Sequence, residues 1–258
     1  MVSFYDKVRR RETPFYDRLY RVGKRLNRAE VPYFAPFWKL MYLERSIRLS
    51  VWRNFWRAAY YQPLFRSRCV RCGTSLLIEG KSIPLILGNP LIELGDRVLL
   101  NGQATITAHK NSEAPRLIIG DDTGLGYGCR ISIGEGVYIG DRVMIAAGVF
   151  IAGYDGHPVD AAARRAGLPD EVAPPIRIGN DVWIGTGSLI RKGITIGDEA
   201  IVAAHSVVTR DVPPGALVAG IPAKILRSSS TPTAQNSPDL PPQATASRQL
   251  DVESGSQT

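Results

Sequence analysis

The sequence predicts an all-β fold, a parallel coil built from six-residue units. Two observations carry that prediction. The first is a strict period of six, with apolar residues at Ile178, Ile184, Ile190, Ile196, Val202 and Val208. A helix face recurs every three or four residues and a half-buried strand every two, so neither alone gives six. A short strand plus a turn does, and it points one aliphatic side chain per unit toward a shared axis. The second is the small residue behind the aliphatic one, as at Gly179, Gly185 and Gly197. A residue without a Cβ lets the chain bend there.

Three upstream runs repeat the pattern. Ile133, Ile139, Ile145 and Ile151 are followed by Gly134, Gly140, Ala146 and Ala152. Ile119, Leu125 and Ile131 carry Gly120 and Gly126, and Leu94, Leu100 and Ile106 open with Gly95. The phase slips between runs, which predicts loops or bulges between coils. Residues 152–176 break the period outright, from Ala152-Gly-Tyr-Asp-Gly-His-Pro158 to Pro174-Pro175, and read as a loop projecting from the coil. Pro213-Pro214 and Pro222 end the coils, and Lys224 to Arg227 begins a short cap. The expected organisation is an N-terminal extension over 1–72, the coil over 73–227 and a tail over 228–258. Ser, Pro, Gln and Thr dominate the tail, which predicts disorder.

The extension differs from the coil in charge. Residues 1–72 hold 17 Lys and Arg against 5 Asp and Glu, a net +12, while the whole chain carries +8. They also hold 16 of the 21 aromatic residues. Residues 1–30, with Arg9-Arg10-Arg11 and Lys24-Arg25, form a basic arm, mobile or helical, of a mostly helical extension, and Pro32 and Pro36 bracket an aromatic turn at Tyr33-Phe34. From Phe37 to Tyr61 there is no Gly or Pro, which predicts a helix. One of its faces carries Leu40, Leu43, Ile47, Val51, Phe55 and Ala58, and another Met41, Arg45, Arg48, Trp52 and Trp56. Such a helix either packs on protein or lies at an anionic membrane surface, where Trp and Arg suit the headgroup boundary. No nucleic-acid motif accompanies the charge, so nucleic acid is not an expected partner.

Cys69-Val-Arg-Cys72 is a lone C-x-x-C without further metal ligands, and no metal is expected. Three cysteines make no disulfide framework, and neither a signal peptide nor a long apolar run is visible. The expected location is cytoplasmic, with peripheral contact at the inner membrane face if the helix binds lipid.

The segments Ile178-Gly-Asn-Asp-Val-Trp-Ile-Gly185, Thr209-Arg-Asp-Val-Pro-Pro-Gly215 and Ala219-Gly-Ile-Pro-Ala-Lys224 resemble the hexapeptide-repeat acyltransferases. In particular they look like the maltose, galactoside and nodulation-type O-acetyltransferases and their polysaccharide-modifying relatives. The resemblance covers about Leu87 to Arg227 and implies a left-handed parallel β-helix, acetyl-CoA as co-substrate, a saccharide acceptor and a homotrimer. It implies that Trp183, Thr186, Ala204, Thr209, Arg210, Lys224 and Arg227 bind the coenzyme, the last two near its phosphates. Those enzymes carry an acceptor-binding Asn where this chain has Gly128 and Cys129, which favours a larger acceptor such as a glycan or a lipid-linked sugar. Transfer to an amine or of a longer acyl chain, or a non-catalytic scaffold, are the alternatives.

Acyl transfer to a hydroxyl needs a base that titrates near neutrality. The chain has three histidines, His109, His157 and His205. His157 lies in the interrupting loop between Gly156 and Pro158, where the repeat acetyltransferases carry their base. Asp155, or a backbone carbonyl, would orient its imidazole. His109 falls in a loop before Pro115 and is expected to be exposed. His205 stands where a small residue is usual, and either lines the coenzyme groove or faces solvent. The three histidines are 48 residues apart, which is not a whole number of eighteen-residue turns and argues against a zinc site of the β-helical carbonic anhydrase kind.

Overall fold

A computed structural model describes residues 4–28, 33–168 and 170–228. Pro32 and nearly all of the expected tail lie outside the described residues. The described residues fall into two compact units, one up to Trp52 and the other from Arg53. The helices come first: α1 (Phe4–Arg10), α2 (Pro14–Leu26) and α3 (Ala35–Trp56). A π-helical turn, Arg57–Tyr61, then leads into α4 (Gln62–Arg66). The helix expected to stop at Tyr61 therefore continues. Pro63 does not break it, because in the first turn of α4 its missing N–H costs nothing.

Helix α2 is amphipathic. Thr13 caps it by accepting from the Tyr16 N–H at 3.4 Å, and Pro14 sits in its first turn. Phe15, Leu19, Val22 and Leu26 form an exposed apolar stripe, while Arg21, Lys24 and Arg28 project from the other side. No residue of α3 is buried, whereas Phe65 of α4 is fully buried and joins the coil's core. Among the described residues, no helix is long and apolar enough to cross a membrane.

The coil is a parallel β-solenoid with three faces. The first face stacks Arg71–Cys72, Leu91–Leu94, Arg116–Ile119, Gly136–Ile139, Ile176–Ile178 and Thr195–Ile196. The second runs from Leu77–Glu79 through Trp183–Ile184 and Ile201–Val202 to Leu217–Gly220. The third runs from Leu85–Leu87 through Phe150–Ala152 and Leu189–Arg191 to Val207–Val208. An antiparallel strand, Ala223–Arg227, closes the second face as the expected cap.

The period of six is the step from one face to the next, so three steps make a turn. Ile178, Ile184 and Ile190 each serve one face, and Ile196, Val202 and Val208 pair with them one coil later. All six are at most 3% exposed. Burying each such side chain stabilises the coil by about 1.5–3 kcal/mol.

The glycines after these aliphatic residues serve a purpose other than bending. The backbone turns left-handed two positions later, at Arg97, Asp122, Arg142, Asp181 and Glu199, with φ between 54° and 58°. The glycines themselves make room for the next coil. A Cβ on Gly95, Gly120, Gly140 or Gly179 would lie 2.2–2.5 Å from Oδ1 of Asp121, Asp141, Asn180 or Asp198. Each of those oxygens accepts the N–H of the residue after the glycine at 2.7–2.8 Å. This ladder satisfies corner amides that would otherwise be left without a partner.

Candidate active site

The interrupting loop leaves the solenoid after Phe150–Ala152, at the edge between the third and first faces, and returns at Ile176. The Gly153 N–H donates to the Ser132 carbonyl at 2.8 Å and anchors the start of the loop. A short helix, α5 (Ala161–Arg165), is capped by Asp160, whose carboxylate accepts from the Ala163 N–H at 2.8 Å. His157 precedes it, with its ring exposed.

Asp155 does not turn toward His157 in this structure. Its Oδ1 accepts from Arg191 at 3.4 Å and its Oδ2 from Lys192 at 2.5 Å, both from the next coil at the same edge. These exposed pairs fix the loop against the solenoid more than they stabilise it.

His109 is buried, contrary to the expected exposure, with its side chain 2% exposed. Its Nε2 lies 2.8 Å from Oδ1 of Asp170, and its Nδ1 accepts the Asn111 N–H at 3.2 Å. The hydrogen bond from Asn111 assigns the tautomer: Nδ1 is the acceptor, so Nε2 carries the hydrogen given to Asp170. Tyr154 packs edge-on against the imidazole, ring centroids 4.9 Å apart. The other oxygen of Asp170 accepts the N–H groups of Asp155 at 3.1 Å and Gly156 at 2.8 Å. Burial alone would raise the Asp170 carboxyl. The bonds from His109 and the Gly156 N–H outweigh it and hold the group below the usual carboxylate range.

Asp170 belongs to the site without being marked in the sequence. Its only local signal is an acid near the return of a loop, and its partner stands 61 residues away.

The expected coenzyme residues lie on the second face and at two edges. Trp183 pairs with Met144 and Ile201 across coils and is half exposed. Thr186 and Ala204 are exposed at the edge between the second and third faces. At that edge Gly128, Gly148 and Gly187 take left-handed backbone, and His205 takes the same place with φ 57°. Histidine tolerates this conformation better than most side chains. Its ring lies along the edge over Gly187, whose missing Cβ would otherwise meet Nδ1 at 2.6 Å. Lys224 and Arg227 are exposed on the closing strand. Thr209 and Arg210 follow the last strand of the third face, at the edge from which the His157 loop leaves two coils earlier.

Cys69 and Cys72 pack against the core as ordinary thiols, and burial with the neighbouring Cys72 pushes Cys69 up to about 12. Such a thiol is a poor nucleophile. Cys129 is buried and its thiol donates to the Ala146 carbonyl at 3.2 Å.

Two family models match the coil. One, described as bacterial transferase hexapeptide (six repeats), covers residues 175–210. The other, described as hexapeptide repeat of succinyl-transferase, covers residues 116–152. The galactoside O-acetyltransferase of Escherichia coli K12 is 39% identical over 115 residues, covering 39% of this chain and 55% of that protein. Nodulation protein L of Rhizobium meliloti is 49% identical over 96 residues, covering 37% of this chain and 48% of that protein. The chain thus spans about half the length of these curated relatives. A crystal structure of a variant of AntD, an N-acyltransferase from Bacillus cereus in complex with dTDP-4-amino-4,6-dideoxyglucose and coenzyme A, shares the fold. Its TM-score is 0.53 at 17% identity, covering 66% of this chain and 89% of that one.

Proposed function

Because the chain belongs to the hexapeptide-repeat acetyltransferase family, we propose that it moves an acetyl group from acetyl-CoA to a hydroxyl of a saccharide. The observation that carries this reading is His157: an exposed residue on a loop whose backbone is bonded just before it, at the Gly156 N–H, and just after it, at the Pro158 carbonyl, next to an edge of the solenoid. The imidazole takes the acceptor's hydroxyl proton while the oxygen attacks the thioester carbonyl. Backbone N–H groups of the coil stabilise the oxyanion. The C–S bond then breaks, and the imidazolium returns the proton to the departing thiolate. No acyl-enzyme is required.

Small residues at the edge, Thr186 and Ala204, leave room for the pantetheine arm, and Trp183 flanks it. Thr209 and Arg210 stand at the edge of the His157 loop and meet the arm from that side. Lys224 and Arg227 supply cations for the phosphates. Gly128 supports a large acceptor, since the space its side chain would fill is open and Cys129 beside it is buried. A glycan or lipid-linked sugar fits that opening better than a small free sugar held by an amide side chain. The test is a mass-spectrometric screen for acetyl transfer from acetyl-CoA over such acceptors, run beside the His157→Ala variant. Product formed equally by both proteins would overturn the base assignment.

Within one protomer, Thr186 and Ala204 stand at a different edge from the His157 loop. That separation supports a site shared between neighbouring protomers, in a homotrimer. Light scattering of the full chain is expected to give three times the 28.2 kDa chain mass. A monomer would sink this part.

The basic extension is read as a peripheral anchor on an anionic membrane surface, through residues 37–61 and the stripe of α2. An apolar stripe opposite Arg21, Lys24 and Arg28 suits the boundary between headgroups and acyl chains. The full-length protein is expected to sediment with phosphatidylglycerol vesicles and less with neutral ones. The double variant Leu19→Asp, Val22→Asp should weaken that binding by on the order of tenfold or more. Unchanged sedimentation of the variant would exclude the α2 stripe as part of the anchor.

A further inference from the structure

We propose that His109 and Asp170 form a latch that sets the backbone of the His157 loop for acetyl transfer, each acting as a positioning residue. The inference rests on the reading of His157 as the base. Three segments distant in sequence meet at this point. His109 is fixed in the coil stack, its N–H donating to the Ile133 carbonyl at 2.8 Å. Asp170 comes from the returning limb of the loop, and Asp155 and Gly156 from the outgoing limb. The carboxylate joins all three by accepting from an imidazole and two successive amides.

The energetics favour a positional role. A buried carboxylate is costly unless each oxygen is well paired. Here the side chain of Asp170 is 8% exposed and both oxygens are paired, one to the solenoid and one to the loop. The latched amide of Gly156 belongs to the residue just before His157, and Gly156 holds φ +86° with open space where a Cβ would stand. A glycine so placed has many alternative conformations. The bond to Asp170 selects one, and Tyr154 closes the apolar side against His109. Pairing of Asp155 with Lys192 and Arg191 holds the same limb from the next coil. His157 is left with a fixed backbone and an exposed ring, the arrangement a base needs to meet a substrate arriving from outside.

The chemistry also predicts which replacements fail. In Asp170→Asn the amide can accept from the two loop N–H groups with its oxygen, but its NH2 then faces the Nε2 hydrogen of His109. His109 cannot move that hydrogen to Nδ1 without losing the bond from Asn111. In His109→Gln the side-chain NH2 can still donate to Asp170, whereas His109→Ala leaves the carboxylate short of a partner.

The test uses the full-length protein and reads steady-state kinetics beside hydrogen exchange of the 153–158 segment. For Asp170→Asn, kcat is expected to fall on the order of 10²-fold with KM for acetyl-CoA within about twofold. Exchange should speed up at 153–158 while the coil segments at 176–208 keep their protection. His109→Ala should do the same, and His109→Gln should recover most of the loss. Wild-type kcat in Asp170→Asn would overturn the proposal, as would accelerated exchange spread equally over the coil, which marks a folding defect. Failure of His109→Gln to exceed His109→Ala would overturn the hydrogen-bonding part. His157→Ala measured in parallel separates the two readings. Full activity there removes the base assignment, and loop exchange in Asp170→Asn still decides whether the latch exists.

Discussion

Replacing His157 with alanine is expected to lower acetyl transfer by about 10²–10⁴-fold while leaving the affinity for acetyl-CoA within about twofold. The size follows from what the side chain does in the proposed step. A hydroxyl is a weak nucleophile near neutral pH, and general-base catalysis accounts for a factor in that range. The split between kcat and KM follows from the structure. The residues assigned to the coenzyme, Trp183, Thr186, Ala204, Lys224 and Arg227, stand on the solenoid and its closing strand. His157 stands on a loop held by its own contacts, so its truncation leaves those residues in place. The ring is exposed, so its removal opens no cavity and the melting temperature should hardly move. Isothermal titration of CoA together with transfer rates checks both halves. A scaffold protein would show no transfer in either form. An enzyme with a different base would show equal rates in both.

Gly179→Ala is expected to destabilise the solenoid by about 3 kcal/mol, far more than an alanine substitution at an exposed glycine. The added Cβ would lie 2.2 Å from Oδ1 of Asp198 and 2.7 Å from its backbone nitrogen. The carboxylate can swing away, but it then abandons the Asn180 N–H it accepts at 2.7 Å. The backbone of the next coil cannot retreat without breaking the Gly179 N–H bond to the Ile196 carbonyl at 2.8 Å. Overpacking typically costs about 1–3 kcal/mol, and an amide stripped of its partner about the same again when it is shielded from water. Gly124→Ala is the control. No atom lies within 4 Å of its added Cβ and its φ is not left-handed, so a change within about 0.5 kcal/mol is expected. Chemical denaturation of the two variants beside the parent decides the matter. Equal effects at both positions would show that the ladder at the corner does not hold the coils together.

The coil was legible in the sequence because its contacts repeat. Each buried aliphatic residue stacks on one in the next coil, as Ile178 does on Ile196, and identical environments select similar residues at a fixed period. The glycine partners were legible for the same reason, although their purpose was not. Their need comes from an oxygen one coil away, as Gly140 makes room for Asn180, 40 residues on across the interrupting loop. Most of α3 was legible from the absence of Gly and Pro between Phe37 and Tyr61. Its continuation through Pro63 was not, because a proline's effect depends on which helical position it takes.

The site divides along the same line. His157 could be picked out because a histidine before a proline, in a long break of the period, is a local feature. The sequence by itself also determined the six-residue period, the place of the break, and the concentration of positive charge and aromatic rings in the first 72 residues. Only the tertiary structure decided the partners within the break. It turned Asp155 to Lys192 and Arg191, buried His109, and set Asp170 between that imidazole and the loop amides. The physical reason is that a repeat broadcasts its packing at every turn, whereas a loop folding back on its scaffold makes each contact once. A carboxylate that satisfies three donors from distant segments leaves no period, and its pairing exists only after the coils have stacked.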